Sequence, residues 1–594
     1  MQADGIVNTE QLPSRYASRL DAAESESAVR ALYEEYRYFH EHPLKYGTFT
    51  RINLKTIPHL TANERQTILQ IQSEHPAPKT WSDLPETFSP DLMEILQYTT
   101  VLPSETRLTG EVRWRIKSAT SKDMQSYTRL RISDQNGGTG SFVMERDPGE
   151  PVLTDHFSGG ILFKEKYGFD RIIIGQFRLR LGTGLSFGNA LGMAKSGDVT
   201  GNVDRVRNTL RVNDSSLESV GYTGLAGRIR FGNHQVQLAG AMSLRDGSWD
   251  GTQLTLSQSG LHQTEGSRSR TNAIQEQFIS AGYQYVTTWG DLGGHYSEIR
   301  YRRRNATSWI QQQRYGSLWL ASERFIHETG LDANLQRAHF TAISWNISPV
   351  EIAFSHRWYA PGYEVPTARG FSEFSGTNNE TGWYLGLQTE TGAVRWSWYF
   401  DFFREVDSGT GPPRQGTEWF IRSRWRPKPR MALTGSIQRE SKEIENSQVV
   451  QGIIYHQGVR REKSRYRLRW EYQWQSDIAA TVQSDFVTVQ YPDDLKQGRQ
   501  WAFRITLPLA ERSRWQVFCV PYVVDESDAS TYYFTMPVIG TMQLLRQTGT
   551  GAVLGQQLRF QFRNNAEMTI FYLQRRAESS KLERSFTFQM DIAF

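Results

Sequence analysis

The chain has 594 residues, of which 38% are hydrophobic and 12% aromatic, and its mean hydropathy is −0.57. Its 68 Lys and Arg against 63 Asp and Glu give a net charge of +5, which by itself does not imply a nucleic-acid partner. The single cysteine, Cys519, excludes an internal disulfide framework and a cysteine-based zinc site. No run reaches the roughly 20 apolar residues of a membrane helix.

The first part of the chain has helical periodicity. In AVRALYEEYRYFHEHP, the apolar residues Val29, Leu32, Tyr36 and Phe39 recur at helical intervals opposite a charged face. Two further helical pairs follow, to about Tyr98. We therefore predict a disordered segment over 1–23 and a helical domain over 24–104. The N-terminal sequence MQADGIVNTEQLPS lacks the apolar stretch of a signal peptide, which leaves open a cytoplasmic chain, a mature one or a mis-assigned start.

From residue 105 to residue 594 the hydrophobic period changes to two. In GEVRWRIK, Val112, Trp114 and Ile116 alternate with charged residues, and RYRLRWEYQW repeats this pattern from Arg465 to Trp474. Such segments are typical of strands with one apolar and one charged face. Turn-forming stretches such as DQNGGTG and DSGTGPPRQG separate them.

Two architectures accommodate so many amphipathic strands. A soluble sandwich or propeller buries the aromatic faces against each other, whereas a transmembrane barrel turns them to lipid and lines its lumen with polar groups. The abundance of Arg and Glu on the polar face, and of Tyr and Trp along the strands, favours the barrel. Allowing about 9–11 residues for each crossing strand, we predict a mainly β protein with a large antiparallel barrel of roughly 20–26 strands.

The C-terminal segment supports the same interpretation. In KLERSFTFQMDIAF an apolar residue occupies every second position up to the end, and these residues are Phe586, Phe588, Met590, Ile592 and Phe594. The pattern resembles the signal by which outer-membrane barrels are recognised for insertion. We therefore expect an outer-membrane location, with the membrane lipid and the barrel-assembly machinery as partners.

The helical region contains two candidate hairpins. TIPHLTANERQTILQIQ, from Thr56 to Gln72, aligns with a helix-hairpin-helix unit, and a weaker copy runs from Trp81 to Leu96. Together with His42-Pro43-Leu44 and Thr48-Phe49-Thr50, this block resembles the tandem helix-hairpin-helix domain of competence-type DNA receptors. It is also similar to a family of outer-membrane proteins in which such a domain precedes a large barrel. The glycine-rich segment from Gly175 to Gly188 resembles a segment of that family's barrel.

The hairpins lack the glycines that let backbone amides approach a phosphate. His59 and Thr61 occupy these positions in the first hairpin, and residues 87–90 lack glycine in the second, where Pro90 also has no amide proton. Side chains remain as candidate DNA contacts, namely Arg51, Lys55, His59, Asn63, Arg65 and Lys79. The alternative is that the same residues form the solvated face of a packing module, scaffold or plug.

Arginines on the polar strand faces are the other candidate site. Arg113, Arg115, Arg467, Arg469, Arg559 and Arg563 would favour passage of anions if they cluster in the lumen. Alternatively, they pair across strands with carboxylates such as Glu111 and Glu471 and stiffen the wall. The histidines lack metal-ligand spacing and no catalytic triad is recognisable, so we expect no enzyme, metal or cofactor.

The sequence thus predicts an outer-membrane channel or translocation component with a periplasmic or plug-like helical domain. DNA or another anionic polymer is the cargo that the resemblance implies. The alternative is a membrane-anchored docking protein whose helical domain binds another periplasmic envelope protein, without a nucleic-acid role.

Overall fold

The computed structural model describes most of residues 108–594 and part of the preceding region. Among the first 107 residues it describes 12–13, 16, 33, 36–40, 43–50, 54, 57–58, 60, 62–85 and 88–102. From residue 108 onward its gaps are 121, 135–136, 151–155, 189–194, 196–198, 204–205, 207, 216–219, 258–259, 261, 263, 288, 375, 410–412, 429, 451–452, 476–477, 511, 563–564 and 579–581.

The described chain forms a closed antiparallel barrel with 24 strands crossing its wall. Each strand pairs with the next in sequence, and the last pairs with the first between Glu111 and Ala593. The strands are β1 Thr109–Ala119, β2 Lys122–Ser133, β3 Thr139–Arg146, β4 His156–Lys166, β5 Phe169–Arg180, β6 Tyr222–Phe231, β7 His234–Arg245, β8 Ile274–Val286, β9 Asp291–Arg303, β10 Gln311–Ala321, β11 Phe325–Leu331, β12 Arg337–Ile347, β13 Val350–Tyr359, β14 Glu380–Thr391, β15 Val394–Arg404, β16 Gln415–Lys428, β17 Met431–Val450, β18 Ile453–Gln475, β19 Ile478–Tyr491, β20 Asp494–Ala510, β21 Ser513–Val524, β22 Gly549–Phe562, β23 Ala566–Ala577 and β24 Glu583–Ala593.

Shorter elements complete the described structure. Four of the short strands form two hairpins, Gly247–Trp249 with Leu254–Leu256 and Thr531–Thr535 with Gln543–Gln547. Thr209–Val212 pairs with the end of β5, and Leu44–Lys45 pairs with Thr100–Val101 in parallel. The helices are α1 Ala62–Glu74, α2 Pro90–Thr99 and α3 Glu265–Arg268, with single 3₁₀ turns at Trp81–Asp83 and Ser527–Ala529.

The alternation of side chains shows that the closed sheet is a membrane barrel. Large apolar side chains face outward and are exposed, for example Leu318 at 70% and Leu468 at 54%. On β24, Phe586 and Ile592 are exposed outside, while Thr587 and Gln589 are buried inside. Aromatic faces therefore do not meet in a soluble core, and the predicted outer-membrane barrel is confirmed. Its strand number lies within the predicted range.

The two ends of the barrel differ in loop length. At one end the strands are joined by short turns, of which the longest are 134–138 and 287–290, and the barrel starts and finishes there. At the other end, residues 181–221, 246–273, 360–379 and 525–548 form long connections. Outer-membrane barrels carry short turns on the periplasmic side and long loops outside. The short-turn end is therefore periplasmic and the long-loop end extracellular.

Three of the long connections fold into the lumen, and we name them inserted loops A (181–221), B (360–379) and C (525–548). On loop A, Phe187 packs against Phe278 of β8, with ring centroids 5.5 Å apart. Tyr363 of loop B donates a hydrogen bond to the carbonyl oxygen of Leu185 at 2.8 Å. On loop C, Tyr533 contacts Phe518 of β21 at 5.2 Å. The wide lumen is thus occupied by the chain's own loops.

Helices α1 and α2 share their core with loop C. Ile68, Leu92 and Ile95 of α1 and α2 are buried in a cluster that also contains Leu544, with Phe534 packed against it. Helix α2 begins where sequence chemistry favours it, because Ser89 caps it through the amide of Leu92 and Pro90 needs no amide partner. A separate helix-hairpin-helix domain is not shown, since this core is built jointly with the barrel. The first barrel strand begins at Thr109.

Candidate ligand cavity in the lumen

The candidate DNA contacts do not form a described cationic surface. Arg51, Lys55 and His59 lie outside the described residues, as does the side chain of Asn63. Arg65 is buried and its guanidinium donates a hydrogen bond to the carbonyl oxygen of Leu60 at 2.6 Å. Lys79 is exposed.

The described candidate lumen arginines face inward and lie close to carboxylates or rings. Arg113 pairs with Asp591 and, at 3.0 Å, with Glu111. Arg467 pairs with Asp485, Arg469 lies 2.9 Å from Glu471, and Arg559 lies 2.5 Å from Glu567. Arg115 stacks 4.3 Å above the ring of Tyr127. Arg563 lies outside the described residues. This geometry matches the alternative of cross-strand pairing along the wall.

A buried ionic network fastens inserted loop A to the wall. The Lys195 ammonium lies 2.8 Å from Glu373 of loop B and 3.0 Å from Asp401 of β15, and it also pairs with Glu418 of β16. Arg357 of β13 bonds Asp401 at 2.8 Å. Burial alone would lower the pKa of Lys195, but the three carboxylates around it raise that pKa well above its usual value. The ammonium is therefore held charged inside the lumen.

Beside loop A lies a cavity of about 170 Å³ near the extracellular end. Residues from β5, the strand Thr209–Val212, loop B and the helical turn at 36–40 line it. The position of the cavity follows from strand pairing. Thr209–Val212 pairs with Phe177–Arg180 at the end of β5, and this pairing brings the last part of loop A against the wall. Backbone hydrogen bonds join loops A and B at its edge, from Arg369 to Gly184 at 2.8 Å and from Gly188 to Thr367 at 3.0 Å.

The described lining of this cavity is strongly cationic. Its titratable side chains include five arginines and a single carboxylate, namely Arg178, Arg180, Arg211, Arg245, Arg369 and Glu276. Arg245 pairs with Glu276 at 2.7 Å, so that carboxylate is matched within the wall. Burial lowers the pKa of the Arg369 guanidinium, which means that its charged form is poorly solvated. An anion in the cavity would offset this loss of solvation.

Aromatic side chains form the remaining walls. Tyr222 stacks on Phe278 with ring centroids 4.3 Å apart, and Arg245 lies 5.5 Å above the Tyr222 ring. Tyr38 of the helical turn lies 4.6 Å below the guanidinium of Arg211. The arrangement suits a ligand that combines an anionic group with a flat ring, because guanidinium groups bind the anion while rings and guanidinium planes stack.

Sequence reasoning missed these five arginines. Arg178 and Arg180 alternate with apolar residues in FRLRLGTG, as the candidate lumen arginines do on their strands. The same pattern could therefore have identified them. Arg211 and Arg369 lie in the long connections between wall strands, where no period predicts which side chains meet. In the described residues, no group of three His, Cys, Asp or Glu side chains is placed to hold a metal ion. No described helix is long and apolar enough to cross a membrane.

Comparison with known proteins yields structural similarity alone. No family model and no curated protein matches the sequence. The fold is similar to the siderophore receptor PirA from Pseudomonas aeruginosa, with 9% identity, a TM-score of 0.39 and coverage of 83% of this chain and 81% of that one. It is also similar to the copper transporter OprC, with 8% identity, a TM-score of 0.42 and coverage of 84% of this chain and 83% of that one. For the FrpB iron transporter from Neisseria meningitidis, the identity is 8%, the TM-score is 0.40 and the coverage is 83% of this chain and 82% of that one. The chain is a large β-barrel resembling outer-membrane proteins of Gram-negative bacteria.

Proposed function

We propose that this chain is an outer-membrane transporter for small anionic solutes that carry an aromatic ring. The observation that carries the proposal is the excess of arginines over carboxylates in the described lining of a cavity inside the barrel. Helical residues, inserted loops and the wall all contribute to that cavity. A solute bound there would contact inserted loops A and B, the helical turn and the wall.

The charge distribution within the barrel supports this function. Along the wall, Arg467 pairs with Asp485 and Arg559 pairs with Glu567, which stiffens the strands. In the cavity, arginines converge from separate elements, with Arg178 on β5 and Arg369 on loop B. Like charges repel each other, so an anion bound among these arginines would stabilise their arrangement. The cavity is thus suited to binding an anion, whereas the ion pairs of the wall stabilise the barrel.

Transport of DNA or another anionic polymer has less support. A cavity of about 170 Å³ accommodates a group of roughly one substituted ring and not a strand of nucleic acid. Arg65, the buried member of the candidate DNA contacts, uses its guanidinium to hold the carbonyl of Leu60. Catalytic activity is not part of the proposal.

The competing proposal is a membrane-anchored docking protein without transport. It draws on the shared core of α1, α2 and loop C, and on the pairs of Asp91 with Arg395 and Arg426, which would hold α2 as a fixed module near the periplasmic end. In that case the arginine cavity has no ligand and its arginines act in packing. The two proposals differ in a measurable property, which is binding of a small anion.

The test uses the full chain in detergent with phenyl phosphate as the probe, measured by isothermal titration calorimetry. We expect binding that weakens with salt, and no comparable binding of the neutral phenol or the cationic benzylamine. Arg211→Gln and Arg369→Gln should each weaken binding about tenfold, since a hydrogen bond to a charged group contributes about 1.5–3 kcal/mol.

The matched control is Arg439→Gln, on the outer side of β17, where the guanidinium is half-exposed and pairs with Glu462. This variant should bind phenyl phosphate like the unmodified chain. Equal binding of phenyl phosphate and phenol, or no effect of either cavity substitution, would reject the transport proposal in favour of the docking function.

A further inference from the structure

The outer wall of the barrel carries a group of polar side chains where lipid-facing residues are normally apolar. His327 and Thr329 of β11, His339 and Thr341 of β12 and His356 of β13 occupy adjacent outward positions. Their sequence neighbours Glu328, Phe340 and Arg357 are buried inside, which places the histidines on the opposite face. We name these five residues the histidine patch.

Hydrogen bonds join part of this patch into a chain. His327 contacts Thr341 at 2.9 Å through Nδ1 and Thr329 at 3.1 Å through Nε2, and Thr329 contacts His339 Nδ1 at 3.0 Å. Within the described residues, the Nε2 of His339 and both ring nitrogens of His356 have no hydrogen-bond partner. These nitrogens therefore remain as potential donors on the outer surface.

Two tryptophans flank the patch. His356 packs against Trp383 with ring centroids 4.1 Å apart, and His339 packs against Trp358 at 5.6 Å. Trp383 is 47% exposed, and Leu318, opposite Thr329 on β10, is 70% exposed. Tryptophan is enriched at the level of lipid headgroups. The patch thus lies on the membrane-facing surface and close to a polar boundary.

The position along the strands identifies that boundary. β11 ends at Leu331, β12 begins at Arg337, and β13 ends at Tyr359, all at the extracellular end. Arg337 occupies the same outward register as His339 and is exposed at the rim above it. Outward positions of β11, β12 and β13 carry no carboxylate, because Glu328 and Glu351 fall in the inward register. The positive charge on this surface comes from Arg337, and the ring N–H groups of the patch add neutral hydrogen-bond donors, so the surface can accept an anion.

We propose that the histidine patch, together with Arg337, binds the phosphate groups of a phosphorylated lipid in the outer leaflet. Ring N–H groups and the guanidinium donate to phosphate oxygens, and the tryptophans pack on the adjoining sugar or acyl region. Polar groups facing hydrocarbon are unfavourable, and a headgroup at this height would supply the missing partners. The site is on the outer wall and is independent of the arginine cavity.

The test compares thermal unfolding of the full chain in dodecyl maltoside with added lipids. The probe is lipid A, a glucosamine disaccharide lipid with two phosphates, and the comparison lipids are its dephosphorylated form and phosphatidylcholine. We expect lipid A to raise the unfolding midpoint by several degrees and the comparison lipids to raise it less. Inorganic phosphate at the same concentration should have no such effect.

The decisive variant combines Arg337→Gln, His339→Leu and His356→Leu, which places leucine at two lipid-facing positions and so should fold. It should weaken lipid A binding at least tenfold, as measured by native mass spectrometry. The matched control is His234→Leu, another outward histidine at the periplasmic end, where its ring packs on Phe231 at 5.1 Å. That variant should bind lipid A normally.

Other results would overturn the proposal. Equal lipid A binding by the triple variant and the unmodified chain would place lipid elsewhere on the wall. Equal stabilisation by inorganic phosphate would indicate a phosphate site without lipid. A protein that copurifies with the unmodified chain and is lost in the triple variant, without a change in lipid content, would make the patch a protein interface.

Discussion

The ammonium nitrogen of Lys195 lies 3.0 Å from Oδ2 of Asp401, joining inserted loop A to strand β15 across the buried interior of the barrel. The two residues are 206 positions apart in sequence, and neither side chain is more than 7% exposed. Asp401 is shared with Arg357, so a single carboxylate connects loop A to the wall and to β13. Loop A is thereby held in the lumen by charge as well as by apolar packing.

Removing the Lys195 ammonium should release loop A. Breaking a buried ion pair by deleting one partner costs about 3–5 kcal/mol, because the remaining carboxylates lose their compensation. We expect Lys195→Met to lower the unfolding midpoint and to increase ion conductance in planar lipid bilayers. Lys166→Met, at an exposed periplasmic turn, is the matched control and should change neither property. Unchanged conductance in the Lys195 variant would show that the ammonium is not needed to hold loop A in the lumen.

Stability should also depend on pH through Glu373. Burial raises the pKa of this loop B carboxyl to about 8, against the opposing effect of Lys195. A pKa raised in the folded state favours folding at low pH, and this contribution is lost as pH rises from about 4.5 through about 8. The unfolding midpoint should therefore be lower at pH 9 than at pH 6.

The Glu373 variants separate this effect from other titrations. Glu373→Gln, which is neutral throughout, should reduce the difference in midpoint between pH 6 and pH 9. Glu364→Gln changes an exposed carboxylate in the same loop and should retain the full difference. If both variants behave alike, the pH dependence arises elsewhere.

Gly184 should be necessary for the arginine cavity. Its φ is +102°, and a Cβ there would lie 2.7 Å from the carbonyl oxygen of Arg369. Gly184→Ala adds backbone strain of about 1–3 kcal/mol and displaces loop B. We expect it to weaken phenyl phosphate binding in calorimetry. Gly240→Ala, where a Cβ meets nothing within 4 Å, should leave binding intact. Equal affinities in both variants would disprove the dependence on this loop contact.

The start of helix α2 should hold the helical region against the barrel. Asp91 pairs with Arg395 and lies 3.8 Å from Arg426, both near the periplasmic end. Asp91→Asn should increase cleavage of the helical region by trypsin in the intact, detergent-solubilised chain. Glu74→Gln, at the exposed end of α1, should not. Unaltered proteolysis of Asp91→Asn would show that apolar packing with Leu544 suffices.

Prediction from sequence succeeded for features that follow from the alternation of apolar and polar residues along a strand. Trp114 and Phe588 alternate with polar or charged residues on their strands. In the structure their rings pack against each other on the outer wall, with ring centroids 5.8 Å apart. Because successive side chains of a strand point to opposite faces, one such pattern is enough to assign lipid and lumen faces. The hairpin hypothesis rested on short motifs, and the glycines that would have given them physical meaning are absent.

The histidine patch shows the difference between what the local sequence predicts and what strand register decides. His327, His339 and His356 are spaced without ligand periodicity, and each is unremarkable within its own strand. Strand register brings them together, since Thr341 lies opposite both His327 and His356, and His339 opposite Thr329. A sequence without known register cannot predict this adjacency.

The sequence by itself determined the barrel, its approximate strand number and the assignment of apolar and polar faces, because these depend on side-chain alternation repeated along each strand. The tertiary structure alone decided that loops A, B and C enter the lumen and that Tyr38 and Arg211, 4.6 Å apart, meet there. Such contacts join residues distant in sequence, and their geometry depends on barrel closure and on packing within the wide lumen. The arginine cavity is a product of that closure.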